Sequence, residues 1–193
     1  MTQQDSPVLV TGATGNTGRA IVDALVRRGT PVRAMVRSPA DRAKLPADVP
    51  IAVADFDDPP SMATALQGAE RAYLVTPSSG RAEEQQRHFA DLAVKAGLQH
   101  LAVLSQLAAD LHSPVRFLRY HAAVEQHVRE LGIAYTFLRP NLFFQGLLAF
   151  AQSISAEGRF YSAGALLVVR AVAAELVTVP QRILSGRWRF STG

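Results

Sequence analysis

Three glycines, Gly12, Gly15 and Gly18, stand three residues apart, directly after the apolar run Val8-Leu9-Val10-Thr11 and directly before a helical pattern. That spacing suits a cradle for a diphosphate. The first glycine permits a tight turn, the second lets backbone N–H groups approach phosphate oxygens with no Cβ in the way, and the third lets helix and strand pack closely. The N-terminus of the following helix adds the partial positive charge of its unpaired amides. Thr14, Asn16 and Thr17 fill the places between the glycines and are further candidate contacts. Three glycines also describe an ordinary flexible turn, so the flanking elements must decide.

Those elements have the order that the chemistry requires. After Gly18, Ile21 and Leu25, with Val22 and Val26 one position round, recur at helical spacing, and Arg27-Arg28-Gly29 supplies cations and a glycine at the helix end. A second strand follows over Pro31–Val36, completing a βαβ unit. Four more strands are predicted over 51–54, 72–75, 101–104 and 134–138. Between them, Pro59-Pro60-Ser61 opens a helix ending before Gly68, and residues 83–96 form a longer one closed by Gly97. Ser113-Pro114 reads as an N-cap with proline at the first helical position, starting a helix that runs to Leu131. The two long helices could cover the sheet or form a homodimer face. Strand and helix alternate throughout, which predicts an α/β, Rossmann-type doubly wound parallel sheet with helices on both faces. Ligands on such a sheet bind at the carboxyl ends of the strands.

Composition narrows the partners. A chain of 193 residues that is 48% hydrophobic can bury one sizeable core, so a single domain over residues 1–193 is expected. There are no cysteines, and the five histidines show no paired ligand spacing, so no metal site is expected. The start, Met1 to Ser6, has neither a basic nor an apolar leader region, and the apolar stretch 163–179 is interrupted by Arg170 and Glu175. The expectation is a soluble, cytoplasmic protein with no membrane segment. The net charge is +4, but basic residues are scattered among acids, which argues against direct nucleic-acid binding.

Four segments resemble the NmrA-like branch of the atypical short-chain dehydrogenases/reductases: Thr11-Gly12-Ala13-Thr14-Gly15-Asn16-Thr17-Gly18, Val36-Arg37-Ser38-Pro39, Leu104-Ser105-Gln106 and residues 135–143 around Arg139-Pro140-Asn141. A fifth, Ser185 to Gly193, is similar to that family's late strand ending in Thr-Gly. The family includes NAD(P)H-dependent quinone-reductase-like enzymes and redox-sensing NADP-binding proteins. Its members usually continue past the late Thr-Gly into elements covering the substrate side, so the resemblance implies a reduced lobe over residues 142–193. Residues 162–171 also look shortened, with Ala171 where the family pattern has an aspartate.

An NAD-preferring site places a carboxylate about 20 residues after the glycines, to hold the ribose hydroxyls. Arg37 stands there instead. A guanidinium can hold a 2′-phosphate bidentately, so NADP(H) is expected over NAD(H), unless Arg37 is merely solvated. Arg42 and Lys44 could add charge nearby. The resemblance implies adenine contacts from Asp55 and Phe56 after the third strand; Asp57 or Asp58 could instead cap the helix opening at Pro59. Val75, Thr76 and Pro77 follow the fourth strand and are expected beside the nicotinamide-side ribose, although Thr-Pro is also ordinary turn chemistry, and Pro140, Asn141, Phe143 and Phe144 follow the sixth and could form part of an aromatic pocket over the nicotinamide. Those last residues could equally pack Leu147, Leu148 and Phe150 against the sheet.

The dehydrogenase mechanism of the wider superfamily uses a Tyr-x-x-x-Lys pair and a serine after the fifth strand. Ser105 matches the serine and Tyr120 lies near the tyrosine position, but Val124 follows four residues later, and the only lysines are Lys44 and Lys95. Tyr120 also falls in the apolar stripe Phe117, Tyr120, Val124, Val128 and Leu131, which reads as core. His121 and Glu125, four apart, are expected to form a local pair. Two readings follow. One is an NADPH-dependent oxidoreductase reducing a small molecule such as a quinone without the Tyr-Lys couple. The other is a non-catalytic NADP(H)-binding sensor or regulator acting through a protein partner.

Overall fold

The structure, a computed structural model, describes residues 6–140. Eleven elements alternate along these residues: β1 (Val8–Val10), α1 (Asn16–Arg27), β2 (Val32–Val36), a 3₁₀ helix (Pro39–Lys44), β3 (Ile51–Val53), α2 (Pro59–Leu66), β4 (Arg71–Leu74), α3 (Ala82–Lys95), β5 (His100–Leu104), α4 (Arg116–Glu130) and β6 (Ala134–Leu138). All strands pair in parallel, in the order β3-β2-β1-β4-β5-β6. The direction of winding reverses beside β1, whose Val8 lies opposite Val32 of β2 and Arg71 of β4. A crevice opens at such a reversal because the connections leave β1 and β4 toward opposite faces. The doubly wound parallel sheet expected from the sequence is therefore present.

Strand alternation divides the core into two layers. Leu9, Met35, Ala72, Leu74, Leu101 and Val103 face one side, where they meet Met62 and Leu66 of α2, Phe89 and Ala93 of α3, and Val124 and Val128 of α4. Val8, Val10, Ala34, Val36 and Tyr73 face the other, packing on Ile21, Val22 and Leu25 of α1 and on Leu45 and Val49 beside the 3₁₀ helix. The apolar faces of α3 and α4 thus cover the sheet. Their expected boundaries agree with the structure within one residue, except at the start of α4, which comes two residues later than expected. There Val115 is the N-cap, and Ser113 sits two residues before it, its Oγ accepting from the Val115 N–H at 3.2 Å. The guanidinium of Arg119 explains the offset, because it donates to the carbonyls of both Ser113 and Pro114 and holds them outside the helix.

The end of the sheet is tied to α4 through one buried carboxylate. Glu125, only 1% exposed, accepts hydrogen bonds from Ser105 Oγ (2.6 Å) after β5, from Arg139 Nε (2.7 Å) and Nη2 after β6, and from Arg129 Nη2 (3.0 Å) one turn on. Burial pushes the Glu125 carboxyl up, but the bonds from Arg139 and Ser105 outweigh it and hold it below its ordinary value. The pair expected between His121 and Glu125 is therefore only electrostatic: the Glu125 charge acts on His121, but no hydrogen bond joins them, two arginines and a hydroxyl already occupying the carboxylate. His121 is buried with its Nδ1 unpartnered, its ring centroid 4.2 Å from that of Tyr120 and 4.8 Å from that of Phe117.

Removing the carboxylate leaves the buried Ser105 hydroxyl without its acceptor and two half-exposed guanidinium groups without their shared partner. Glu125→Ala should therefore lower the unfolding free energy in urea by about 3 kcal/mol; a loss below about 1 kcal/mol would mean that water satisfies the arginines as well. Acid should also weaken the fold in a defined window. Burial lowers the pKa of His121 from 6.5 to about 4, so between these values the unfolded chain holds the extra proton. Its contribution is full above 6.5 and is lost as pH falls toward 4. Glu125 acts in the same direction at lower pH, its contribution being present above 4.5 and lost as pH falls through its depressed folded value. His121→Phe should flatten the upper part of that slope, by at most about 3 kcal/mol, in urea titrations across the window. An unchanged slope would contradict the burial argument.

Candidate functional site

The crevice predicted by the topology is a cleft of about 1050 Å³ over the carboxyl ends of β1 to β4. Gly12, Thr14, Gly15, Asn16 and Thr17 line it from the turn after β1, Arg37 from the end of β2, Asp55 and Phe56 from the end of β3, and Val75, Thr76 and Pro77 from the end of β4. The fold thus assembles, from four separate strand ends, all but two of the residues expected to bind a cofactor. Those two are Gly18 and Pro140. Gly18 lies behind the turn, where a Cβ would come 2.2 Å from the Gly12 carbonyl oxygen, so its role is the close approach of helix to turn. Pro140 is buried away from the cleft, its carbonyl accepting from the Leu107 N–H at 3.0 Å. Asn141, Phe143, Phe144 and the expected lobe over residues 142–193 lie outside the described residues.

The glycine turn is built for close contact. Gly12 has φ +56°, and a Cβ on it would lie 2.6 Å from Val75 Cγ1. Thr11 completes the clamp: its Oγ1 donates to the Val75 carbonyl at 2.9 Å and accepts from the Val75 N–H at 2.8 Å, locking the end of β4 beside the turn. Helix α1 then begins at Asn16 with no side-chain cap and no acidic residue in its first turn. The first-turn amides of a helix have no intrahelical acceptor, so this end is left open to bind an anion. Tyr73 forms part of the floor, fully buried and hydrogen-bonded to Thr17; burial pushes its phenol up to about 12, so it stays neutral.

The wall on the β2 side carries a cation, Arg37, that no side chain or carbonyl holds by a hydrogen bond, although the charge of Asp41 acts on it through space. Arg37 is exposed and makes no hydrogen bond or ion pair among the described residues. The charges expected to assist it are engaged elsewhere: Arg42 donates to the Val49 carbonyl, and Lys44 Nζ lies 2.7 Å from Asp41. At the end of β3, Asp58 takes the N-cap position of α2, one of the two expected, but its side chain makes no capping bond and other bonds hold the turn. Ser61 Oγ accepts from the Asp55 N–H and donates to the Asp58 carbonyl, while Asp55 Oδ1 accepts from the Asp57 N–H. The Asp57 carboxylate instead meets Arg81 Nη1 at 2.9 Å and Gln85 Nε2 at 2.8 Å, bridging to the start of α3. Arg81 and Gln85 also line the cleft. No local pattern announces them, since their partner lies 28 residues from Gln85 in the chain.

Neither weak catalytic candidate lines the cleft. Ser105 is fully buried with its hydroxyl committed to Glu125. Tyr120 is 3% exposed; burial raises its pKa, and its hydroxyl bonds to Ser78, a residue at the cleft edge. Val124, standing where a lysine would complete the couple, is fully buried in the core. Among the described residues no group of His, Cys, Asp or Glu has the arrangement of a metal site, and no helix is long and apolar enough to cross a membrane.

Comparison with known proteins agrees with this architecture. A model of the NmrA-like family matches residues 4–164. The chain is 34% identical over 155 residues to an NAD(P)H azoreductase of Xenophilus azovorans, covering 80% of this chain and 54% of that protein. It is 31% identical over 183 residues to quinone oxidoreductase 2 of Escherichia coli, covering 92% and 64%. A crystal structure of the NADPH-dependent quinone oxidoreductase of Escherichia coli complexed with NADPH superposes with a TM-score of 0.83 at 30% identity, again over 92% of this chain and 64% of that one. The chain therefore spans less than two thirds of the length of these relatives. Six parallel strands in Rossmann order, a glycine-lined cleft at their carboxyl ends and a family match over most of its length together show that the chain belongs to the NmrA-like family.

Proposed function

We propose that the cleft binds NADPH in preference to NADH and that the protein is an oxidoreductase acting on a quinone or a similar small electrophile. The observation that carries this reading is the pairing of an uncapped α1 N-terminus with the exposed Arg37 guanidinium, which makes no hydrogen bond within the protein, on neighbouring strand ends of one cleft. The amides of the glycine turn hold the diphosphate, and Arg37 holds the 2′-phosphate. Asp55 and Phe56 flank the adenine, leaving the far half of the cofactor over the end of β4. Bound NADPH supplies hydride.

The protein's own part is binding, orientation and exclusion of water. It lacks the Tyr-Lys couple that carbonyl reduction in the wider superfamily employs, which suits an acceptor whose reduced form can take its protons from water. The relatives, an azoreductase and a quinone oxidoreductase, support flat, conjugated acceptors of this kind.

Calorimetry of the full chain should give a lower Kd for NADPH than for NADH. Arg37→Ala should weaken NADPH by about tenfold or more while leaving NADH nearly unchanged. An unaltered ratio would remove Arg37 from the site. Oxidation of NADPH should be accelerated by simple quinones or azo dyes, read as loss of its near-ultraviolet absorbance. Tight NADPH binding without turnover on any of them would refute the oxidoreductase part and leave the cofactor part standing.

A further inference from the structure

Behind the cleft wall lies a buried amide that the reading above does not use. Gln86, on the second turn of α3, is 2% exposed, and its Nε2 donates to Thr76 Oγ1 at 2.8 Å. Its Oε1 has no hydrogen-bond partner. A buried carbonyl oxygen without a donor costs stability, and an apolar side chain of similar size would avoid that cost. Such a defect in an otherwise satisfied wall calls for a compensating use, and the hydrogen bond to Thr76 supplies one.

A threonine hydroxyl offers one proton and accepts through its lone pairs. At Thr76 the Gln86 amide occupies an acceptor position, and the hydroxyl donates to nothing among the described residues. Its proton is therefore left to donate into the cleft, which Thr76 lines. The strand order says which part of a ligand it meets. With the diphosphate at β1 and the adenosine over β2 and β3, the end of β4 on the opposite side of β1 faces the remaining half.

We propose that Gln86 is a positioning residue, its amide fixing the Thr76 hydroxyl as a donor to an acceptor atom on the nicotinamide-riboside half of the bound dinucleotide. This rests on the cofactor reading above, and the two can fail separately. The probes are NADPH and adenosine 2′,5′-bisphosphate, which keeps the adenine end but lacks the other half, each titrated calorimetrically into the full chain.

Gln86→Leu should weaken NADPH roughly three- to tenfold, leave the bisphosphate unchanged, and unfold at an equal or higher temperature than wild type. Thr76→Val should show the same partition, and Thr76→Ser should restore binding. Adding Gln86→Leu to Thr76→Val should produce no further loss, because the amide acts only through the hydroxyl. Equal loss of both ligands, or additive losses in the double variant, would overturn the proposal in favour of general wall packing. Unaltered NADPH affinity in Gln86→Leu would overturn it while sparing the cofactor reading. Wild-type protein that binds neither probe would overturn both.

Discussion

The contact on which the site depends is the approach of α1 to the turn that precedes it. At Gly18 a Cβ would stand 2.2 Å from the Gly12 carbonyl oxygen and 2.6 Å from its carbon, distances at which backbone would have to move. The helix can begin where it does only because that position has no side chain. Its open amide end is thereby aimed across the turn, while the Thr11 hydroxyl draws the end of β4 against the same turn from the other side. The position of the cleft, its floor and two of its walls follow from this one close approach.

Polar groups within the described residues divide into two populations. Away from the cleft they are nearly all consumed, as where Glu125 is saturated by Ser105, Arg129 and Arg139, and in the cleft wall Asp57 is likewise bridged to Arg81 and Gln85. Others around the cleft are left over, as with the first-turn amides of α1 and the Arg37 guanidinium, which makes no hydrogen bond. Unsatisfied polarity is tolerated where a ligand can complete it and is otherwise selected against by the cost of desolvation. His121 departs from this division. Its unpartnered Nδ1 sits among aromatic rings on α4 and stays neutral above about pH 4, so its cost falls on stability in acid.

The Glu125 cluster also changes how the superfamily resemblance applies. Ser105 matches the position of a catalytic serine, yet its hydroxyl bonds a carboxylate that is itself locked by the arginine following β6. A residue type at a family position indicates a role only when its neighbours leave the reactive atom available. Here they do not, and the serine acts as a brace between β5, β6 and α4.

Much was legible in the amino-acid order because the signals are local. Short apolar runs mark the six strands, glycines and prolines mark most helix ends, and the spacing of Gly12, Gly15 and Gly18 declares the turn. Arg37 could be placed too, since its distance along the chain from that turn measures one helix and one strand. Pairings between distant segments were not legible. Nothing near Glu125 points to Arg139, nothing near Asp57 points to Arg81, and helical spacing brings His121 within electrostatic reach of Glu125 but says nothing of the competitor from another strand that takes the carboxylate's hydrogen bonds. Periodicity is written by each residue's own preference for water or core, whereas the choice of partner for a charge or an amide is made only when the folded sheet brings strand ends within hydrogen-bonding distance.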